Sequence, residues 1–121
     1  MFNINFNGVV NVSRGDSFEI PVKIVVRNKM DKVDYEVKNT DLIYLGVMEP
    51  NQPFETALIR KKCTIEDMDV NGNIVFSFTP EDTQCVLPGR YYYQVKLQTF
   101  NEDGSYNVYT VVDKTLFFIV E

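Results

Sequence analysis

The chain has 121 residues, 45% hydrophobic and 24% charged, with nine Phe, seven Tyr, no Trp and no His. This length fits a single domain over residues 1–121 that closes its core without metal or disulfide help, since chains of this size bury roughly two-thirds of their unfolded surface. Aromatics are abundant and alanine is nearly absent, which favours strands over helices. A net charge of −5 argues against nucleic acid, whose backbone is held by clustered Lys and Arg, and Arg60-Lys61-Lys62 is the only basic run.

Met1-Phe2-Asn3-Ile4-Asn5-Phe6-Asn7 lacks the basic start, apolar segment and small-residue cleavage site of a secretory signal, so folding in cytoplasm is expected. No window approaches the ~18 consecutive apolar residues of a membrane span. Arg14-Gly15-Asp16 predicts a turn before the alternating strand of residues 18–26. Pro21 lies on the outward set of that strand and cannot donate to a ladder, which predicts a sheet edge or a bulge. Asn28-Lys29-Met30-Asp31-Lys32 predicts a polar loop before a strand at 33–37. Residues 42–48 are apolar on both faces and predict a central strand. Glu49-Pro50-Asn51-Gln52-Pro53 breaks the pattern, and a weaker alternation resumes over 54–63.

Asn71-Gly72 is the strongest short hairpin signal in the chain, and Ile74, Phe76 and Phe78 follow on one face. At most residues 81–86 make one helical turn, capped around Thr79 or Pro80. Then comes Leu87-Pro88-Gly89-Arg90-Tyr91-Tyr92-Tyr93. Pro88 fixes its φ, Gly89 allows a positive φ, and Tyr91, Tyr93, Val95 and Leu97 share one face. A tyrosine after such a bend can return its hydroxyl to the loop backbone, as in the tyrosine corner of immunoglobulin-like sandwiches. A loop at 101–105 and strands at 106–112 and 115–120 complete the chain. The expected fold is all-β, a single immunoglobulin-like antiparallel β-sandwich of about 7–9 strands.

Several constellations suggest chemistry. Asp67, Asp69 and Asn71 with Gly72 match the first half of a calcium loop, yet Phe78 stands where the closing acid of an EF-hand belongs, so solvated acids on a hairpin turn are favoured. Arg14-Gly15-Asp16 spells a receptor tripeptide, for which a plain turn suffices. Cys63 and Cys85 are expected as thiols without chemistry, a bridge being geometrically open. The absence of histidine removes the usual base for Ser or Cys nucleophiles. The acid pairs Glu66/Asp67 and Glu81/Asp82 are adjacent, so in a strand they point apart. No enzyme activity and no cofactor are expected. Tyr91 and Tyr93 are expected in the core, which leaves Tyr92 as the surface candidate; a sugar platform would need Tyr44 or Tyr109 beside it.

The Gly15-Asp16-Ser17-Phe18-Glu19-Ile20 opening, Asp41-Leu42-Ile43-Tyr44-Leu45, Phe78-Thr79-Pro80-Glu81-Asp82-Thr83 and the Leu87-to-Leu97 corner together resemble the small immunoglobulin-like domains of tailed-phage virion proteins. The nearest comparison is the N-terminal domain of baseplate upper proteins, over residues 15–120. That resemblance implies a non-catalytic assembly domain in a tail or baseplate, built in host cytoplasm without a signal peptide and present in several copies. Its partners would be other virion proteins in a homo- or hetero-oligomer, with neither nucleic acid nor membrane; a glycan- or receptor-binding module is the alternative. Baseplate upper proteins usually continue into long receptor-binding regions, so a stand-alone module or a fragment is expected.

Overall fold

Alternating apolar and polar side chains take up ten strands in a computed structural model that describes residues 2–4, 8–28 and 31–121. They are β1 (Asn3–Ile4), β2 (Val10–Ser13), β3 (Phe18–Val22), β4 (Val25–Asn28), β5 (Asp31–Asp34), β6 (Leu42–Met48), β7 (Ile59–Cys63), β8 (Ile74–Phe78), β9 (Gly89–Phe100) and β10 (Tyr106–Val120). One short helix, α1 (Pro80–Gln84), and 3₁₀ turns at Phe54–Thr56 and Ile65–Asp67 interrupt them. The protein is therefore mostly β.

The larger sheet has six strands in the order β1-β2-β10-β9-β6-β7. β2 runs parallel to β10, and the other neighbours are antiparallel. β3 and β8 form a separate antiparallel ribbon, and β4 and β5 a second one. The inward residues of β9 (Tyr91, Tyr93, Val95, Leu97) pack with Ile43, Leu45 and Val47 of β6 and with Phe18, Ile20, Phe76 and Phe78 of the β3–β8 ribbon, in one buried cluster. Aromatic rings join the two layers. Phe18 stacks on Phe78 at 4.4 Å, and Phe117 of the large sheet meets both, at 6.2 and 6.5 Å. Phe76 has no exposed surface, and emptying such a site costs about 3–5 kcal/mol.

Several expectations hold. β6 is central, flanked by β7 and β9. Pro21 is exposed opposite Val75, and β3 has β8 as its one strand partner among the described residues, as an edge proline requires. α1 is a single short helix with Pro80 first, and the Asp82 carboxylate accepts the Thr79 backbone N–H at 2.7 Å.

Others are corrected. The strand expected over residues 18–26 splits after Val22 because its two halves have different partners, β8 and β5, and β1 and β2 add two strands that the sequence reading does not assign. β5 ends at Asp34, before the expected 33–37 span closes. In the polar loop expected at 28–32, Asn28 already pairs with Asp31. Lys29 and Met30 lie outside the described residues, as do Met1, Asn5, Phe6 and Asn7 of the N-terminal segment. The alternation at 54–63 begins as a 3₁₀ turn, not a strand. Asn71-Gly72 does form a turn, closed by Asp69 N–H to Asn73 O at 2.8 Å with Gly72 at φ +81°. The turn closes a minimal hairpin, a single antiparallel bridge between Met68 and Ile74, and the longer strands on either side take other partners, β7 with β6 and β8 with β3. Gly89 is not among the positive-φ glycines; it is the first ladder residue of β9, opposite Ile119. Residues 106–120 form one strand with register shifts near Val112, not two strands.

Candidate functional site

The proline-containing bend is closed by a tyrosine. Tyr91 donates its hydroxyl to the carbonyl of Leu87 at 2.5 Å, while Leu87, Pro88 and Gly89 are themselves exposed. Two residues on, Tyr93 donates to the Gly8 carbonyl at 2.6 Å and ties the same strand to the N-terminal segment. Burial raises the pKa of both hydroxyls, with Glu49 adding at Tyr91. These two residues hold backbone in place.

The other motif residues are likewise engaged in structure. Arg14 pairs with Glu121 at 2.6 and 3.0 Å, and Gly15 N–H donates to the buried Thr83 hydroxyl at 2.9 Å, so the Arg14-Gly15-Asp16 turn is fixed to α1 and to the end of β10. Asp69 accepts the N–H groups of Asn71 and Asn73, each at 2.9 Å, and Asp67 accepts Thr64 N–H at 2.9 Å. The would-be calcium ligands Asp67, Asp69 and Asn71 thus sit in local turns and caps, and no group of three or more His, Cys, Asp or Glu is assembled for a metal among the described residues. Asp82 is held by Lys61 at 2.6 Å. Cys63 is buried and Cys85 exposed, both as free thiols. Burial, helped by the negative charge of Asp67, pushes the Cys63 thiol up to about 12.

Asp41, the acid ahead of the central strand, is buried. It accepts the Tyr35 hydroxyl at 2.7 Å and Lys38 N–H at 2.9 Å, which pins residues 35–41 against the entry to β6. Desolvation first, then this hydrogen bond to the Asp41 carboxylate, raises Tyr35 to about 12.

Two surfaces are open. Beyond Leu42, β9 and β10 run on as an arm whose Phe100, Tyr106, Val108 and Tyr109 are 41%, 61%, 50% and 49% exposed. β2 covers β10 only from Phe117 to Val120, so the β10 edge over residues 106–116 has no further strand partner among the described residues. Under the arm, Tyr35, Leu97, Tyr109 and Val111 line an open groove of about 1180 Å³.

The second surface is a cleft of about 510 Å³ on the outer face of the large sheet. Tyr44 of β6 stands opposite Lys62 of β7 on one side and Lys96 of β9 on the other, which places a cation–aromatic–cation row across neighbouring strands. Arg60 lies in the next row, opposite Gly46. Gly46 has no side chain because Phe54 folds over it: an added Cβ would come within 2.9 Å of the ring. Lys96 Nζ is 5.0 Å from the centroid of that same ring. Arg60 donates to the carbonyls of Glu55 and Ala57, which fixes its guanidinium without neutralising it.

Of the surface tyrosines expected from the alternation, Tyr92 is half-buried, opposite Met48 and Leu116, and Tyr109 belongs to the other side of the arm. Tyr44, by contrast, has Lys96 and Tyr106 as fellow lining residues. The basic run 60–62 was visible in the sequence; its junction with Lys96 and Tyr44 depends on strand register and was not. No helix among the described residues is long and apolar enough to cross a membrane. No family model and no curated protein matches the chain.

Proposed function

We propose that the chain is an immunoglobulin-like sandwich module that works by holding other proteins in position, as a non-catalytic component of a phage tail or baseplate. Support for the immunoglobulin-like assignment comes from three features: β2 runs parallel beside β10, β9, β6 and β7 share that sheet while β3 and β8 lie in the other, and a tyrosine locks the bend before β9. The assembly role rests chiefly on the arm. Its exposed aromatic and aliphatic side chains lie beside an unpaired strand edge, and such edges and apolar patches are where sheets add partners. Placement in a virion, built in host cytoplasm from several copies, rests on the sequence resemblance.

Light scattering and cross-linking across a concentration series, alone and with the products of neighbouring genes, test this. Oligomers or hetero-complexes are expected, weakened about tenfold by Tyr109→Lys, since a central aromatic anchor carries more than 1 kcal/mol of an interface. Monomer throughout would overturn it.

A further inference from the structure

We infer that the outer-face cleft, which shares Tyr106 and Val108 with the arm, is a binding site for an acidic oligosaccharide, a role additional to assembly. The charge pattern comes first. The chain as a whole is at −5, yet this face gathers Arg60, Lys62 and Lys96 with Glu55 as the one lining acid. Lys61, which also lines the cleft, is neutralised by Asp82. No carboxylate lies within salt-bridge distance of Arg60, Lys62 or Lys96 among the described residues. A local surplus of cations on an acidic protein selects an anion for that face and repels dense polyanions elsewhere.

The spacing then narrows the class. Lys62 and Lys96 flank Tyr44 in register, so their Cα atoms are two strand spacings apart, roughly 9–10 Å. Nucleic acid carries its charges much more densely than that. A carbohydrate bearing one anionic group per pair of rings matches the interval, and one charged on every ring meets it at alternate rings.

The rest of the lining suits sugar. Tyr44, Phe54 and the well-exposed Tyr106 offer ring surface for the apolar faces of pyranoses, and Gln98 supplies an amide that can both donate and accept. The volume is that of a ligand cleft rather than of a protein interface. Phe54 is held over Gly46 and meets Lys96, so part of the site is formed before any ligand arrives.

Titration calorimetry on the full chain tests the assignment, with tetragalacturonate as the acidic probe, maltotetraose as its neutral counterpart and a tetraglutamate peptide as a charge control. Tetragalacturonate is expected to bind, the other two much more weakly. The double variant Lys62→Gln/Lys96→Gln should weaken it at least about tenfold, as loss of charge-assisted hydrogen bonds does. Tyr106→Ser should weaken it about fivefold at any salt concentration, because stacking is not screened. Lys62 and Tyr106 are exposed and Lys96 is half-buried, and near-ultraviolet circular dichroism checks that each variant is folded. Absence of tetragalacturonate binding would overturn the inference. So would equal binding of tetraglutamate together with indifference to Tyr106→Ser, the signature of a face built for an acidic protein segment. Oligomerisation is read separately by scattering, so failure here leaves the assembly proposal standing.

Discussion

Among the described residues, each buried polar side chain is committed to a specific backbone or hydroxyl partner, and that commitment fixes what its loss does. Asp41 is nearly fully buried and satisfies both Tyr35 and Lys38. Asp41→Ala leaves a hydroxyl and an N–H without their acceptor, and a loss of about 2–4 kcal/mol is expected in urea unfolding, well above a surface substitution. Tyr91→Phe is milder. The Leu87 carbonyl lies on an exposed residue and can turn to water, so about 1 kcal/mol is expected from losing the 2.5 Å bond, with the urea m-value unchanged. The thiols divide the same way. Cys85 is exposed, whereas Cys63 is buried, bonded to the Val75 carbonyl at 3.4 Å and raised to about 12, so it is protonated at neutral pH. A colorimetric thiol reagent should titrate one cysteine in the native protein and both in denaturant; rapid reaction of both in the native state would contradict the placement of Cys63.

Between elements, the informative position is a glycine in the middle of a central strand. Glycine weakens a strand, and β6 carries Gly46 because Phe54 crosses the strand there at less than side-chain distance. Gly46→Ala is therefore expected to cost about 1–3 kcal/mol by overpacking, and Phe54→Ala in the same chain should recover part of it, a positive coupling in a double-mutant cycle. Additive losses would show that the ring does not determine the residue. Nothing in the local sequence announces this contact, because Phe54 belongs to a turn that resembles the start of a strand. The same limit explains which parts of the fold were legible. Strand faces, the central position of residues 42–48, the edge character of Pro21 and the tyrosine-closed bend follow from period-two patterning and from proline chemistry, which act over a few residues. The split of 18–26 between two partners, the merging of 106–120 into one bulged strand and the pairing of β7 and β8 away from each other beyond the Asn71-Gly72 turn are decided by long-range pairing. The Lys62–Tyr44–Lys96 row is of that second kind: two registers, each involving β6, create it.

At the scale of the whole molecule, the tyrosines that fasten the sheets also set an upper pH limit. Tyr35 is raised to about 12, mainly by desolvation and then by the Asp41 carboxylate, and burial raises Tyr91 and Tyr93 too. A raised pKa means that the folded state favours the neutral phenol. The stabilisation is fully present below the unfolded value of about 10 and is lost as pH climbs through the folded values. Unfolded chains then release protons that the native state retains, so unfolding becomes progressively easier in base. Urea midpoints should hold level up to pH ~10 and fall steeply toward pH ~12. Absorbance of tyrosinate, followed over the same range, should show a late-ionising group that appears together with loss of the native circular dichroism. Tyr35→Phe supplies the decisive comparison: it removes the hydrogen bond to Asp41 and lowers stability at neutral pH, yet it has no proton to lose, so its alkaline slope should be shallower than that of the parent. An unchanged slope would mean that Tyr35 ionises alike in the folded and unfolded chain and that its bond to Asp41 does not resist base.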